Sequence, residues 1–302
     1  MIRRCLLIPL MSSWILFSSA SYNIYNYDMS TPIFTPDGLL KQVEYASEAS
    51  SHSSPMIIKP FLIDDQSFVI MATRKQSRKA QSRIIQMPIS PTWTGQTTPL
   101  LFGINGVLSD CVSLLQVARE EIQSMSSYGA PSTCTKQISS CRPPLPPSKC
   151  AKRVAMAIAD KCQQHSFGGG IRPFGAEIIV CGVENSRVGL FVTQPSGGIL
   201  EFDASASGGE LVVGGDAKQR EKLYNLLGEK RMEFDISIER NSIDGFIRKA
   251  IKTIIDSMVE LHRDTDDEDK TVLADFDIMI AHSLHGVIRI NGVELVRIYE
   301  NA

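Results

Sequence analysis

The chain has no Cys-x-x-Cys pair, and its seven cysteines are odd in number, which argues against a zinc site or a disulfide framework. None of its five histidines stands in the helical HExxH spacing of a zinc protease. No stretch approaches the roughly 20 apolar residues that a membrane-spanning helix needs. There is no basic excess: 31 Lys and Arg face 33 Asp and Glu, a net charge of −2, whereas nucleic-acid binders carry a strong positive surplus. The run Gly168-Gly169-Gly170 follows a helical pattern instead of opening one, and it lacks a Walker lysine, so it is not a phosphate loop. Metal, cofactor, nucleic acid and membrane are therefore not expected as ligands or partners.

What is present is ordinary for a soluble globular chain: 43% hydrophobic and 21% charged residues over 302 positions, long enough to bury a sizeable core. Cys111, Cys162 and Cys181 fall within apolar patterns and read as small core residues. Cys134, Cys141 and Cys150 lie in or beside a proline-rich stretch, where a disulfide would require an oxidising compartment. Residues 1–20 have the form of a secretory signal: Arg3 and Arg4, a mostly apolar Cys5–Phe17, then Ser18-Ser19-Ala20. A plain N-terminal extension, or a mis-assigned start, would look similar. Residues 21–302 are expected to form a single domain, with 131–148 as a proline-rich surface insertion.

Taken in order, the chain predicts a short amphipathic helix over Leu39–Ala49, with Thr35 as its cap, Pro36 at the first helical position, and Leu39, Val43 and Ala46 on one apolar face. Strands are expected at 56–61, 68–73, 84–89 and 100–104. The basic run Arg74, Lys75, Arg78, Lys79 and Arg83 reads as a solvated loop. Gly106 opens a long helix reaching about Ser126, with Ser109-Asp110 as a cap, and a second helix runs over 149–166 before the glycines give a sharp exit. Strands at 176–182, 187–193, 199–202 and 209–213 make one antiparallel run. Helices follow at 216–227 and 237–261, then an acidic solvated tip (263–270) and terminal strands at 276–281, 286–290 and 294–299. Without an alternating βαβ pattern, the class is α+β, with antiparallel sheets and helices segregated to outer faces.

Three groups of residues carry a resemblance. They are Tyr27-Asp28, then Phe34-x-Pro36-Asp37-Gly38-Leu39 with Gln42-Val43-Glu44-Tyr45-Ala46-x-Glu48-Ala49, and later Arg172-Pro173-Phe174-Gly175 after a glycine. At this density and spacing the chain resembles proteasome α-type subunits. The turn Pro195-Ser196-Gly197 also fits, with Gln194 where the family has Asp. The resemblance implies the four-layer αββα sandwich of the N-terminal-nucleophile superfamily, led by an N-terminal amphipathic helix. Enzymes of that superfamily attack with a terminal Thr, Ser or Cys at a strand edge. Here Ser30, Thr31 and Thr35 precede a helix instead, so no catalytic residue is expected.

The implied role is a non-catalytic place in a heteroheptameric α ring, beside other α-type subunits, β-type subunits and regulatory activator caps, in breakdown of unfolded or ubiquitin-tagged proteins. Phe34, Leu39, Gln42, Val43, Glu44 and Ala46 would make ring contacts, and Tyr27, Asp28, Pro36 and Tyr45 match a gate cluster. Met29 replaces the usual arginine after Tyr-Asp, and Arg83 stands near where a lysine receives an activator's terminal carboxylate. Cytoplasm and nucleus follow from the resemblance, and a signal-directed compartment from residues 1–20. The rival expectation is a targeted, stand-alone hydrolase of the same fold.

Overall fold

A computed structural model describes residues 33–63, 66–75, 80–89, 99–127, 145–168, 171–203, 209–235, 243–263, 275–290 and 292–301. Residues 1–20, Tyr27, Asp28, Met29 and most of the 131–148 insertion lie outside the described residues. So do Cys134, Cys141 and the acidic tip.

Two five-stranded sheets carry the fold, and every strand pairing is antiparallel. In the first, β1 (Met56–Ile63) and β2 (Gln66–Arg74) lie at the centre, flanked by β8 (Leu211–Val213) on one side and by β9 (Phe276–His282) and β10 (Gly286–Ile290) on the other. The second runs β3 (Ile84–Met87), β4 (Leu100–Gly106), β5 (Ala176–Glu184), β6 (Arg187–Thr193), β7 (Ile199–Asp203). The α+β class follows.

The central strands are apolar on both faces because both faces are covered, whereas the edge strands β7 and β10 leave Leu200 and Ile288 exposed. Along β1, Met56 and Ile58 join a cluster with Leu101, Ile179 and Cys181 of the other sheet, whereas Ile57 points the opposite way. That opposite side meets α4 (Ala217–Asp235), through Leu223 and Leu227, and α5 (Ile243–Arg263), through Ile251, Ile254 and Ile255. On the second sheet, Phe102, Ile178 and Val180 pack under α2 (Leu108–Ser127) and α3 (Pro147–Phe167). Period-two alternation thus sends the central strands into two separate cores.

Several expectations are corrected. The terminal stretch 294–299 is not a strand but part of helix α6 (Gly292–Asn301). Leu295 and Ile298 are three apart, and on a helix both reach the α5 side of the core. Strand β8 does not continue the run β5–β7. It crosses to the other sheet and pairs with β1, Met56 opposite Val213. The first helix, α1, spans Lys41–Ser51 and not 39–49, with Leu40 at its N-cap and no side-chain cap. Thr35 closes a turn ahead of it: its Oγ1 accepts the Leu39 N–H (3.1 Å), and its carbonyl accepts Gly38 N–H (2.8 Å) at φ +80°. Pro36 sits in that turn and is exposed. Gly106 ends β4 and does not open α2. Gly168 caps α3 at φ −78°, so the turn out of the helix needs no left-handed residue there. Pro147 and Ser148, assigned to the insertion, form the first turn of α3.

Candidate functional site

The helix α1 lies against β4 and β5, at the end of the second sheet. Its seat is made of small residues. Ala46 and Ser50 are the buried positions, and the hydroxyls spend themselves locally: Ser50 Oγ donates to Ser47 O (2.7 Å) and Ser53 Oγ to Ser50 O (2.9 Å). Such bonds let polar side chains be buried without loss. The larger apolar groups stay in water: Phe34 is 55% and Tyr45 51% exposed, and Leu39 is exposed too. Leu39 therefore does not share a buried face with Ala46, because it precedes the helix. Gln42, Val43 and Glu44 are half-buried, and Glu44 pairs with Lys41 at 2.9 Å. Val107, Leu108 and Val112, at the start of α2, add further exposed apolar surface.

The segment Arg172–Gly175 explains why α1 can come so close. A Cβ on Gly175 would stand 3.2 Å from Ala49 Cβ and 3.3 Å from a Val107 methyl, so a side chain there would require α1 or Val107 to shift by a few tenths of an ångström. Gly175 is held by Asp110: its N–H donates to Asp110 Oδ2 (2.9 Å), and its carbonyl accepts Val107 N–H (2.9 Å). Arg172 grips the same carboxylate with both Nη atoms, at 2.6 and 2.7 Å. The Arg172 hydrogen bond, with help from the Gly175 amide, holds the Asp110 carboxyl below its ordinary range. Phe174 is buried and stacks on His165, with ring centres 4.1 Å apart, and Pro173 is buried beside it. Sequence reasoning marks Asp110 only as a cap and misses its part in this motif. Its partner lies 62 residues away, and no local signal shows that distance closing.

Ahead of β1, residues 53–55 are held by segments of both sheets. Gly215 N–H donates to Ser53 O (2.8 Å), Arg83 Nη1 to Ser54 O (3.0 Å) and Thr73 Oγ1 to Pro55 O (3.2 Å). Arg83 is thus not part of a solvated loop. It is partly buried, and that burial pulls its pKa down from the usual guanidinium value. Beside it opens a pocket of about 270 Å³, lined among others by His52, Lys75, Arg83, Ile104, Val107 and Leu108. No Asp or Glu is among its described lining residues.

Residues 27–49 match the N-terminal signature of A-type proteasome subunits, and residues 146–226 match the general family of proteasome subunits. The chain is similar to the proteasome alpha subunit of Methanosarcina acetivorans, 30% identical over 185 residues, 60% of this chain and 64% of the relative. It is 27% identical over 211 residues to the protein of the same name from Methanococcus vannielii, covering 70% and 72%. The second proteasome alpha subunit of Haloarcula marismortui is 30% identical over 183 residues, covering 61% and 66%.

Over both matched segments this chain is similar to proteasome α subunits.

The match spans 64% of the Methanosarcina acetivorans relative's length, short of two thirds. The α-subunit signature reaches from Tyr27 through the Thr35 turn to Ala49 within α1, and the second family match takes in α3, β5 to β8 and the first turns of α4. The cysteines of this chain are core residues where they are described. Cys111, Cys150, Cys162 and Cys181 are buried free thiols. Burial pushes Cys111 and Cys150 up to about 11, and Cys162 and Cys181 up to about 12. Cys150, expected at the edge of a loop, is fixed by α3 with its Sγ directed at Leu145 O (3.3 Å). His282 is structural: it is buried, and its Nδ1 accepts the Leu284 N–H at 3.0 Å.

Proposed function

We propose that this chain is a non-catalytic member of the α ring of a proteasome core particle, with the four-layer αββα sandwich of the N-terminal-nucleophile superfamily. It takes one place in a heteroheptameric ring, stacks on β-type subunits and supports the breakdown of unfolded and ubiquitin-tagged proteins in cytoplasm and nucleus. The observation that carries this reading is the path of residues 53–55. An enzyme of this fold needs a free terminus at the open end between the sheets. In this chain α1 and residues 53–55 lead into β1, and the carbonyls of Ser53, Ser54 and Pro55 are held by Gly215, Arg83 and Thr73.

Ring assembly is supported by the contrast on α1, whose small side chains face its own sheets while Phe34, Leu39 and Tyr45 remain exposed. Large apolar side chains left in water close together in sequence on one element favour a partner there. Pro36 and Tyr45, with Tyr27 and Asp28, form the gate cluster. Met29 in place of arginine removes a charge-assisted bond worth roughly 1.5–3 kcal/mol, so this chain holds the gate less firmly than its neighbours. The pocket at Arg83 receives the terminal carboxylate of an activator, with Lys75 as a second cation and Ile104, Val107 and Leu108 as an apolar wall.

Native-gel co-purification of a tagged chain tests the proposal. Other α and β subunits should appear, and the isolated chain should hydrolyse no peptide. A stable monomer with peptidase activity overturns it. Mass spectrometry of the mature N-terminus gives a second reading: a terminus at a Thr, Ser or Cys opening a strand favours the stand-alone hydrolase.

A further inference from the structure

Both cations of the pocket are tied, through the backbone that carries them, to the start of β9. Lys75 donates its N–H to Asp275 O at 2.8 Å. Ser82, immediately before Arg83, directs its hydroxyl at the carboxylate of Asp277. Asp277 is 3% exposed, opposite Thr73 in the β2–β9 register. The Ser82 hydroxyl also lies near Ile84 O, but it has one proton, and Arg289 Nη2 already donates to that carbonyl (2.7 Å) and to Ser82 Oγ itself (2.9 Å). A carboxylate oxygen is a stronger acceptor than a carbonyl already bonded to a guanidinium, so the hydroxyl's one proton goes to Asp277. A buried carboxylate is costly unless hydrogen-bonded, so Asp277 and Ser82 hold each other firmly. On the other side of Arg83, its carbonyl accepts Ile104 N–H at 2.9 Å.

We propose that Asp277 is a positioning residue for the pocket: through Ser82 it sets where the Arg83 guanidinium stands, and so how strongly the pocket prefers a terminal carboxylate. This rests on the reading of the pocket as a carboxylate site. The residue touches no ligand itself. It acts by fixing the backbone one position before the cation.

The test uses the full chain in its assembled complex and two fluorescent peptides of identical apolar sequence, one ending in a free carboxylate and one in an amide. The wild type should prefer the acid by about tenfold or more, as a charge-assisted hydrogen bond implies. Arg83→Ala should abolish that preference. Asp277→Ala and Ser82→Ala should each cut it by about threefold or more, with amide affinity unchanged, since a displaced cation weakens only the charged contact. In the Arg83→Ala background, neither change should have a further effect. Should Asp277→Ala fail to assemble, Ser82→Ala carries the same measurement. If Arg83→Ala abolishes the preference while Ser82→Ala and Asp277→Ala leave it intact, the positioning role is wrong and the pocket reading stands. If the wild type shows no preference, or Arg83→Ala keeps it, the pocket reading itself fails and takes this inference with it.

Discussion

The helices α1 and α5 are both amphipathic, yet they are seated in opposite ways. Along α5, Phe246, Ile251, Ile254, Ile255, Met258 and Leu261 are buried against the first sheet and α4. Along α1 the buried residues are Ala46 and Ser50, and Tyr45 is exposed. Burying a large aliphatic side chain contributes about 1.5–3 kcal/mol, and an alanine or serine contributes far less. The seat of α5 is thus complete within one chain. That of α1, only 11 residues long, leaves its large apolar groups for something else. The difference separates a helix that makes the fold from one that the fold presents.

The comparison can be broken at several points. Ile254→Ala should cost about 2–5 kcal/mol in urea denaturation of the isolated chain, since a fully packed site cannot collapse around the lost atoms. A cost near zero would mean that α5 is not a core helix. Next in size is Asp110→Ala, which strips the partner from Arg172 and Gly175 and should cost about 1.5–3 kcal/mol. Its pH dependence has a fixed sign. The folded-state pKa of Asp110 is lowered, so its contribution is full above the ordinary carboxylate value and is lost as pH falls through the folded value. Wild type should therefore lose stability in acid more steeply than Asp110→Asn, as read by denaturant midpoints across that range.

Gly175→Ala should have a smaller effect, about 1–3 kcal/mol, as its methyl meets Ala49 and Val107. Protease cleavage within α1 should accelerate in this variant while the α5 region stays protected. The smallest effect on the isolated chain belongs to Leu39→Ser, expected within about 0.5 kcal/mol of wild type because the residue is already exposed. The same change should reduce incorporation into the assembled complex. A large loss of monomer stability would show that α1 is part of the core after all, and would erase the contrast with α5.

Much of the fold was legible in advance. The strands 56–61, 68–73 and 187–193 fell close to their observed positions, because short apolar runs bounded by polar turns leave few alternatives. The two long helices after β4 were likewise visible from their apolar stripes. The misreadings have physical causes. Residues 294–299 are rich in β-branched and aromatic side chains, which favour a strand locally, but burial of Leu295 and Ile298 on one helical face prevailed. Strand β8 carries no local mark of the sheet it joins, since antiparallel pairing with β1 and with β7 would make the same demands on Leu211–Val213. At the site, Arg172–Gly175 stood out as a motif, whereas its anchor Asp110 looked like any acidic residue in a first helical turn.

By itself the amino-acid order determined the resemblance to proteasome α subunits, the α+β class, the existence of α1 and the core placement of the cysteines within apolar patterns. Each of these depends on residues near one another in the chain, where spacing is a direct record of geometry. Only the tertiary structure decided that small residues, and not leucines, seat α1, that Asp110 binds the motif, and that Arg83 is drawn inward to the Ser54 carbonyl ahead of β1. These are contacts between distant segments, and they are settled by how two sheets and their covering helices share space.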